Sequence, residues 1–306
     1  MADDRRTAGE LLPWAILQTV AYADVFDYPL TLAELHRYLV GVAASSAEVA
    51  RVVSAHPVCR ERLEEAEGFY TLAGRTALVA CRQRRTAHAA ALWPLARQYG
   101  RQVASLPFVR LVAVTGALAV NNVEPGADID FMIGVEPGRL WLCRALIILL
   151  VRRIQRSGGP TLCPNYLLST GNIRLQEHNL FTAHELVQMV PLHGFPLYRQ
   201  LRRLNRWSDR YLPNAAGPPA ALRPVSAVNG WPRQLLETGL RLPLFNRLEQ
   251  WEMNRKIRKL TATAADGAEI CFTPDCCKGH FGAYGRRTLA AFEARLQEWR
   301  IPCPSI

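Results

Sequence analysis

Leu11, Leu12, Trp14, Ile16, Leu17 and Val20 make the start of the chain an apolar-rich helical segment over 10–22 that ends near Phe26-Asp27-Tyr28-Pro29. Two capping boxes follow. Thr31-Leu32-Ala33-Glu34 predicts a helix running to about Val40 with Gly41 as its stop, and Ser45-Ser46-Ala47-Glu48 opens another through Val49, Val52 and Val53. Phe69-Tyr70-Thr71-Leu72, after Gly68, reads as a short strand. Three short helices followed by strand material predict a winged-helix-like unit. Arg51 is the only basic residue between Ser46 and Ala55, whereas duplex affinity rests largely on several Lys or Arg contacts to phosphate. The unit therefore reads as a scaffold or dimerisation element rather than a DNA reader, and a homodimer is one assembly it allows.

Residues 76–105 follow a helical pattern, and Pro107 marks a boundary. Val109 to Thr115 is short and β-branched, hence a buried strand, and Gly116 breaks it before a small helical segment, Ala117 to Val120. Asp128 to Ile133 predicts a second strand, Arg139 to Arg156 a long helix and Cys163 to Ser169 a third strand. Thr182-Ala183-His184-Glu185 repeats the capping-box pattern and opens a helix through Leu186, Val187 and Met189. Residues 213–232 are rich in Pro and Gly and read as a linker, with helices resuming over about 233–260 and 286–299. The expected class is α/β (α+β): a winged-helix-like domain with its connecting helix over 1–106, a core with a small mixed sheet over 107–180, and a mostly helical region over 181–306.

With 306 residues, 49 % apolar and 21 % charged, the chain can bury a full core, which excludes a broadly disordered or collagen-like protein. The most apolar stretch, Ala145 to Val151, lies between Arg144 and Arg152 and is too short to span a membrane. The N-terminal residues lack the features of a secretory signal, so a cytoplasmic protein is expected, with its eight cysteines mostly reduced. Eight of the eleven excess positive charges fall after residue 200, which suggests an anionic ligand such as a polyphosphate or nucleic acid.

The chemistry is concentrated in Val114-Thr115-Gly116-Ala117 and Asp128-Ile129-Asp130. On a strand Asp128 and Asp130 share one face while Ile129 and Phe131 point to the other. Two converging carboxylates call for a cation, and Mg²⁺ or Mn²⁺ takes oxygen ligands of this kind. Gly116 opens a helix directly after a strand, leaving backbone N–H groups where phosphate oxygens can bind. Metal site and anion cradle together point to phosphoryl or nucleotidyl transfer.

The order strand, Gly, small residue, helix, loop, Asp-x-Asp resembles the signature of the DNA polymerase β-like nucleotidyltransferase superfamily over about Val109 to Ser169. Phe26-Asp27-Tyr28-Pro29-Leu30-Thr31, Pro137-Gly138-Arg139-Leu140-Trp141, Cys163-Pro164-Asn165-Tyr166 and Lys278-Gly279-His280 are similar to a bacterial family of nucleotidyltransferase-domain proteins. The resemblance implies that Gly116 and Ala117 hold a nucleoside triphosphate, that Asp128 and Asp130 bind the metals, and that Thr115 supplies the hydroxyl Ala117 lacks. It also places Asn165 where the superfamily has a third carboxylate; an amide can ligate a metal but cannot act as a base. Glu177 and Glu185 are later carboxylates whose spacing does not require them to fold back. Arg139 lies on the helix after the carboxylate strand, and Lys278 and His280 carry charge or imidazole; all three are candidate phosphate contacts. Cys271, Cys276, Cys277 and His280 cluster, yet C-x4-C-C-x2-H is not a standard zinc spacing, and free thiols are the alternative.

The expected activity is metal-dependent transfer of a nucleoside monophosphate to an acceptor, small molecule, protein or nucleic acid, with release of pyrophosphate. The alternatives are a catalytically degenerate nucleotide-binding or regulatory protein and a winged-helix nucleic-acid binder.

Overall fold

Both capping boxes near the N-terminus form. The Thr31 hydroxyl accepts from the Glu34 N–H while Glu34 accepts from the Thr31 N–H, and Ser45 and Glu48 repeat the exchange. The computed structural model describes residues 8–215, 217, 225, 230–262, 269–280 and 283–304. Its first part contains α1 (Ala8–Asp24), β1 (Leu30–Thr31), α2 (Leu32–Arg37), α3 (Ser46–Ala55), α4 (Pro57–Arg62), β2 (Leu63–Ala66) and β3 (Phe69–Leu72). The three strands form an antiparallel sheet in the order β1-β3-β2. The helix expected to reach Val40 stops at Arg37: Leu39 and Val40 are buried, and the Val40 N–H donates to Thr19 Oγ1 at 3.0 Å, so tertiary contacts draw the chain out of the helix.

The chain continues through α5 (Leu78–Ala104), β4 (Val109–Val114), α6 (Gly116–Ala119), β5 (Ile129–Val135), α7 (Leu140–Arg156) and β6 (Leu162–Ser169). Beyond it lie α8 (Leu180–Gln188), β7 (Val190–His193), α9 (Phe195–Leu204), α10 (Ser208–Tyr211), α11 (Trp231–Leu240), α12 (Pro243–Ala262), β8 (Glu269–Thr273), β9 (Cys276–His280) and α13 (Tyr284–Glu298). A six-stranded mixed sheet runs β7-β4-β5-β6-β9-β8, with β5 and β6 parallel and joined through α7 and the other neighbours antiparallel. The region expected to be mostly helical thus supplies three of the six strands, and the helix expected over 233–260 is broken before Pro243. The linker expected over 213–232 falls largely outside the described residues. The class is mixed α and β.

Alternation along β4 and β5 sorts the sheet into two faces. Val112, Val114, Ile129, Phe131 and Ile133 pack under α5 and α7, whereas Leu111, Ala113, Met132 and Leu168 pack under α8 and α9. A further core joins α1, α2 and α3 to Ala183 and Val187 of α8 and to Phe292 and Leu296 of α13. Helix α8 therefore touches the sheet on one side and the N-terminal helices on the other. It begins earlier than the expected capping box: Asn179 is the cap, accepting from the Thr182 N–H at 2.8 Å. Thr182 and Glu185 lie inside the helix.

Candidate active site

Strand β4 ends at Val114, and the chain turns at Thr115 and Gly116 into the single turn of α6. Gly116 has φ +65°, the left-handed region that glycine occupies without strain. The turn rests on β5. The Thr115 N–H donates to the Asp130 carbonyl at 3.0 Å, and a β-carbon on Gly116 would lie 2.6 Å from Asp130 Oδ2. The glycine turn and the second aspartate are therefore in contact. Thr115 is buried, while Gly116 and Ala117 are exposed.

Asp130 stands on the α8 face of β5, partly buried, and Asp128 is exposed just before the strand. Burial pushes the Asp130 carboxyl up to about 6, the Asp128 charge adds to the rise, and a hydrogen bond from the Cys163 thiol opposes it. Cys163 is the register partner of Asp130 on β6, and burial together with the Asp130 charge raises its own thiol to about 12. Between the pairs Asp130↔Cys163 and Met132↔Tyr166 the register shifts, so three steps of β6 match two of β5. Asn165 lies within that irregularity, partly buried.

Two cavities meet here. The larger, about 660 Å³, is bounded by Gly116, Ala117, Asp130 and Asn165 on the sheet side. Its other walls are aromatic: Tyr22, Phe26, Tyr28 and Tyr38 from the N-terminal unit, with Phe181 and Tyr284. The smaller, about 230 Å³, contains Thr115, Asn165, Tyr166, Arg174, Glu177 and Lys278. Asn165 and Glu185 line both. Lys278 is buried, with Nζ donating to Glu177 at 2.8 Å and standing 5.7 Å from the centre of the Tyr166 ring. The expected nucleotide-binding residues are thus divided: Gly116 and Ala117 open to the larger cavity, Thr115 and Lys278 to the smaller.

Arg139 is not brought to this place. It precedes α7 beyond the far end of β5, which lies about 17 Å along the strand from Asp130, and is 5.6 Å from the centre of the Phe108 ring. At the start of α7 the buried Glu249 accepts from the Trp141 and Leu142 N–H groups at 2.8 and 2.7 Å. His280 ends β9, and its side chain lies outside the described residues.

The cysteine cluster is split by strand alternation. Cys271 and Cys276 face the α8 side and share a hydrogen bond, which draws the Cys271 thiol down to about 7 and pushes that of Cys276 up. Cys277 packs into the opposite core. Among the described residues no group of three or more His, Cys, Asp or Glu is placed to share a metal ion, and all eight cysteines are free. Among them, too, no helix is long and apolar enough to cross a membrane.

Neither Cys163 as a partner of Asp130 nor the aromatic wall was identified from sequence as part of the site. The wall's one sequence signal is the run Phe26-Asp27-Tyr28-Pro29, which marks the end of the first helix and carries part of the family resemblance. No family model, no curated protein and no solved structure matches this chain.

Proposed function

We propose that this chain is a nucleotidyltransferase of the DNA polymerase β-like kind, moving a nucleoside monophosphate from a nucleoside triphosphate to an acceptor hydroxyl. The observation that carries this reading is the contact between the Gly116 turn and the Asp130 carboxylate, which sets an exposed turn beside that acid, with Asp128 two residues before it in the chain. The acceptor oxygen bonds to the α-phosphorus, the bond from that phosphorus to its bridging oxygen breaks, pyrophosphate leaves and the hydroxyl proton passes to solvent. The Gly116 and Ala117 amides hold phosphate oxygens, and Lys278 neutralises charge from the adjoining cavity.

Asp128 and Asp130 suit Mg²⁺, which is commonly held by one or two carboxylates with substrate phosphates and water rather than by a full protein cage. Burial first and the Asp128 charge second hold the Asp130 carboxyl up, and a divalent cation would relieve both. When bound, the metal supplies charge stabilisation to the phosphates and the departing pyrophosphate. Asn165 offers an amide oxygen beside the acids, and Glu185 brings a carboxylate to the same seam from α8. We read the four-helix, three-strand N-terminal unit as a winged-helix-like scaffold, since Arg51 remains the only basic residue of α3.

One observation favours a second reading. Asn165 stands on the neighbouring strand where a third carboxylate would complete the site, so a protein that binds the triphosphate without turnover is the alternative. Pyrophosphate release from each of the four ribonucleoside triphosphates, with Mg²⁺ or Mn²⁺ and cell extract as acceptor source, separates the two. The transfer reading expects turnover that vanishes in the Asp128→Asn, Asp130→Asn double variant. Saturable triphosphate binding with no turnover above that variant would favour the binding protein.

A further inference from the structure

Of the nine large apolar side chains that stand exposed among the described residues, seven lie between Trp231 and Trp251. On α11 these are Trp231, Leu235 and Leu236, at the bend before α12 Leu242, and on α12 Leu244, Leu248 and Trp251. Trp231 is 72 % exposed and Leu244 68 %. A single exposed leucine is ordinary, but a run of this kind marks an interaction surface. The spacing is helical. Leu244, Leu248 and Trp251 follow one another at i, i+4 and i+7, and the same stripe continues through Arg255 and Arg258, both exposed. Helix α12 therefore turns outward a stripe that is apolar over its first half and basic over its second.

The charges are sorted too. Residues 231–262 hold seven Arg and Lys against three Glu. None of the three acids is exposed: Glu237 is bound by Arg110 and Arg233, Glu249 accepts from the backbone of α7, and Glu252 is bound by Arg255. The exposed charges of this stretch are Arg241, Arg247, Arg255, Arg258 and Lys259, all basic. Helix α7, against which α12 packs, adds Arg144, Arg152, Arg153 and Arg156 and no acid. Burial lowers the Lys256 amine, Glu252 opposes the fall, and Arg255, Arg144 and Lys259 lower it further, so positive charge from both helices gathers at one place.

Tryptophan and leucine beside arginine and lysine, with no exposed acid, suit the boundary between water and an anionic bilayer. Rings and alkyl chains enter such an interface while basic groups meet the lipid phosphates. A second copy of the chain fits less well, because an isologous contact sets basic residues against basic residues. A nucleic-acid strand has use for the arginines and the two indoles but not for five exposed leucines. Met253, Ile257 and Leu260 hold α12 on the α7 side of the sheet, whereas Asp130 stands on the α8 side, so a surface engaged by α12 lies away from the candidate active site.

We propose that α11 and α12 dock this protein on an anionic membrane surface, with the leucines and tryptophans seated in the interface and the basic residues against the headgroups. The inference is independent of the nucleotidyl-transfer reading.

Co-sedimentation of the full chain with vesicles tests it, using phosphatidylcholine alone and phosphatidylcholine with phosphatidylglycerol in equal parts. Binding to the mixed vesicles is expected to be on the order of ten-fold tighter and to weaken as salt is raised. The Leu244→Ser, Leu248→Ser, Trp251→Ser variant, changed only at exposed positions, should keep the wild-type melting temperature and lose most of this binding. Arg247→Gln with Arg258→Gln should lower binding to the mixed vesicles several-fold and leave binding to phosphatidylcholine unchanged. Should the triple variant unfold, the arginine variant and the salt series still decide. Equal binding to both vesicles, binding to neither, or full binding by the folded triple variant would overturn the proposal. A chain that ignores vesicles but forms a dimer broken by the triple variant would assign the face to a second copy, and one that takes single-stranded RNA instead would assign it to nucleic acid.

Discussion

A β-carbon at Gly116 would sit 2.6 Å from Asp130 Oδ2. The glycine turn and the second aspartate therefore hold one another in place, because the carboxylate occupies the space a side chain would need. Gly116→Ala adds a methyl group there at φ +65°. The expected cost is about 1–2 kcal/mol of stability and about 100-fold in nucleotidyl transfer through displacement of the carboxylate. Urea melts and turnover assays read the two effects. A variant with wild-type turnover would show that the contact has no part in the chemistry.

Asp130 is ionised at neutral pH in a place that disfavours its charge. Its folded carboxyl titrates at about 6, above the ordinary value near 4, so the unfolded chain gives up that proton first as pH rises. This group's contribution is thus full below about pH 4 and lost by about pH 6. Asp130→Asn is expected to be more stable than wild type at pH 7.5 by about 1–3 kcal/mol while losing activity. Mg²⁺ should raise the melting temperature of wild type and leave that of the variant unchanged. Equal stability of the two proteins at pH 7.5 would mean that the Cys163 hydrogen bond already offsets the burial.

His184 slopes the other way. Burial draws its imidazole down to about 3, so between about pH 6.5 and 3 the unfolded chain binds a proton that the folded chain does not. Its contribution is present above pH 6.5 and is lost as the pH falls through that window, on the order of a few kcal/mol in total. His184→Phe keeps a ring on Tyr22 and cannot be protonated. Thermal melts from pH 7 down to pH 4 should fall less steeply for the variant, and parallel curves would contradict the burial of a neutral imidazole.

The N-terminal unit is tied to the loop after α6 by a buried network. The Tyr28 hydroxyl lies 2.7 Å from Glu34 Oε1 and 2.8 Å from the Val120 carbonyl, both within reach of its single proton. Arg82 bridges Glu34 and the same carbonyl, lying 3.7 Å from the Tyr28 ring centre. Removing the buried guanidinium takes the ion-pair partner from Glu34, which keeps its Tyr28 and Thr31 hydrogen bonds, so Arg82→Ala should cost about 2 kcal/mol in chemical denaturation. A cost below about 1 kcal/mol would show that water replaces the guanidinium freely.

Local signals carried the sequence reading furthest. Thr31 and Ser45 cap the helices expected of them because a capping box is complete within four residues. The same pattern at Thr182 misplaced a helix start, since Asn179, three residues earlier, satisfies the Thr182 N–H instead. Strand β9, Cys276-Cys277-Lys278-Gly279-His280, contains no β-branched residue and pairs because the edge of β6 is there to receive it. Gly116 and Asp130 could be matched from their spacing, whereas the Cys163 partnership depends on register and the place of Glu185 on how α8 packs. The departure of Arg139 from the site follows from its lying beyond the other end of β5, which its nearness in sequence conceals.

The core that gathers α1, α2 and α3 also needs Phe292, Leu296 and Ile301, and Gln18 donates to the Pro302 carbonyl at 2.7 Å. During synthesis the first helices emerge long before these partners leave the ribosome. The N-terminal unit therefore waits with an apolar face open until translation of this stretch is finished, a period in which chaperones have most to hold. Proteolytic removal of residues 284–304 from the folded protein should loosen helices nearly three hundred positions away.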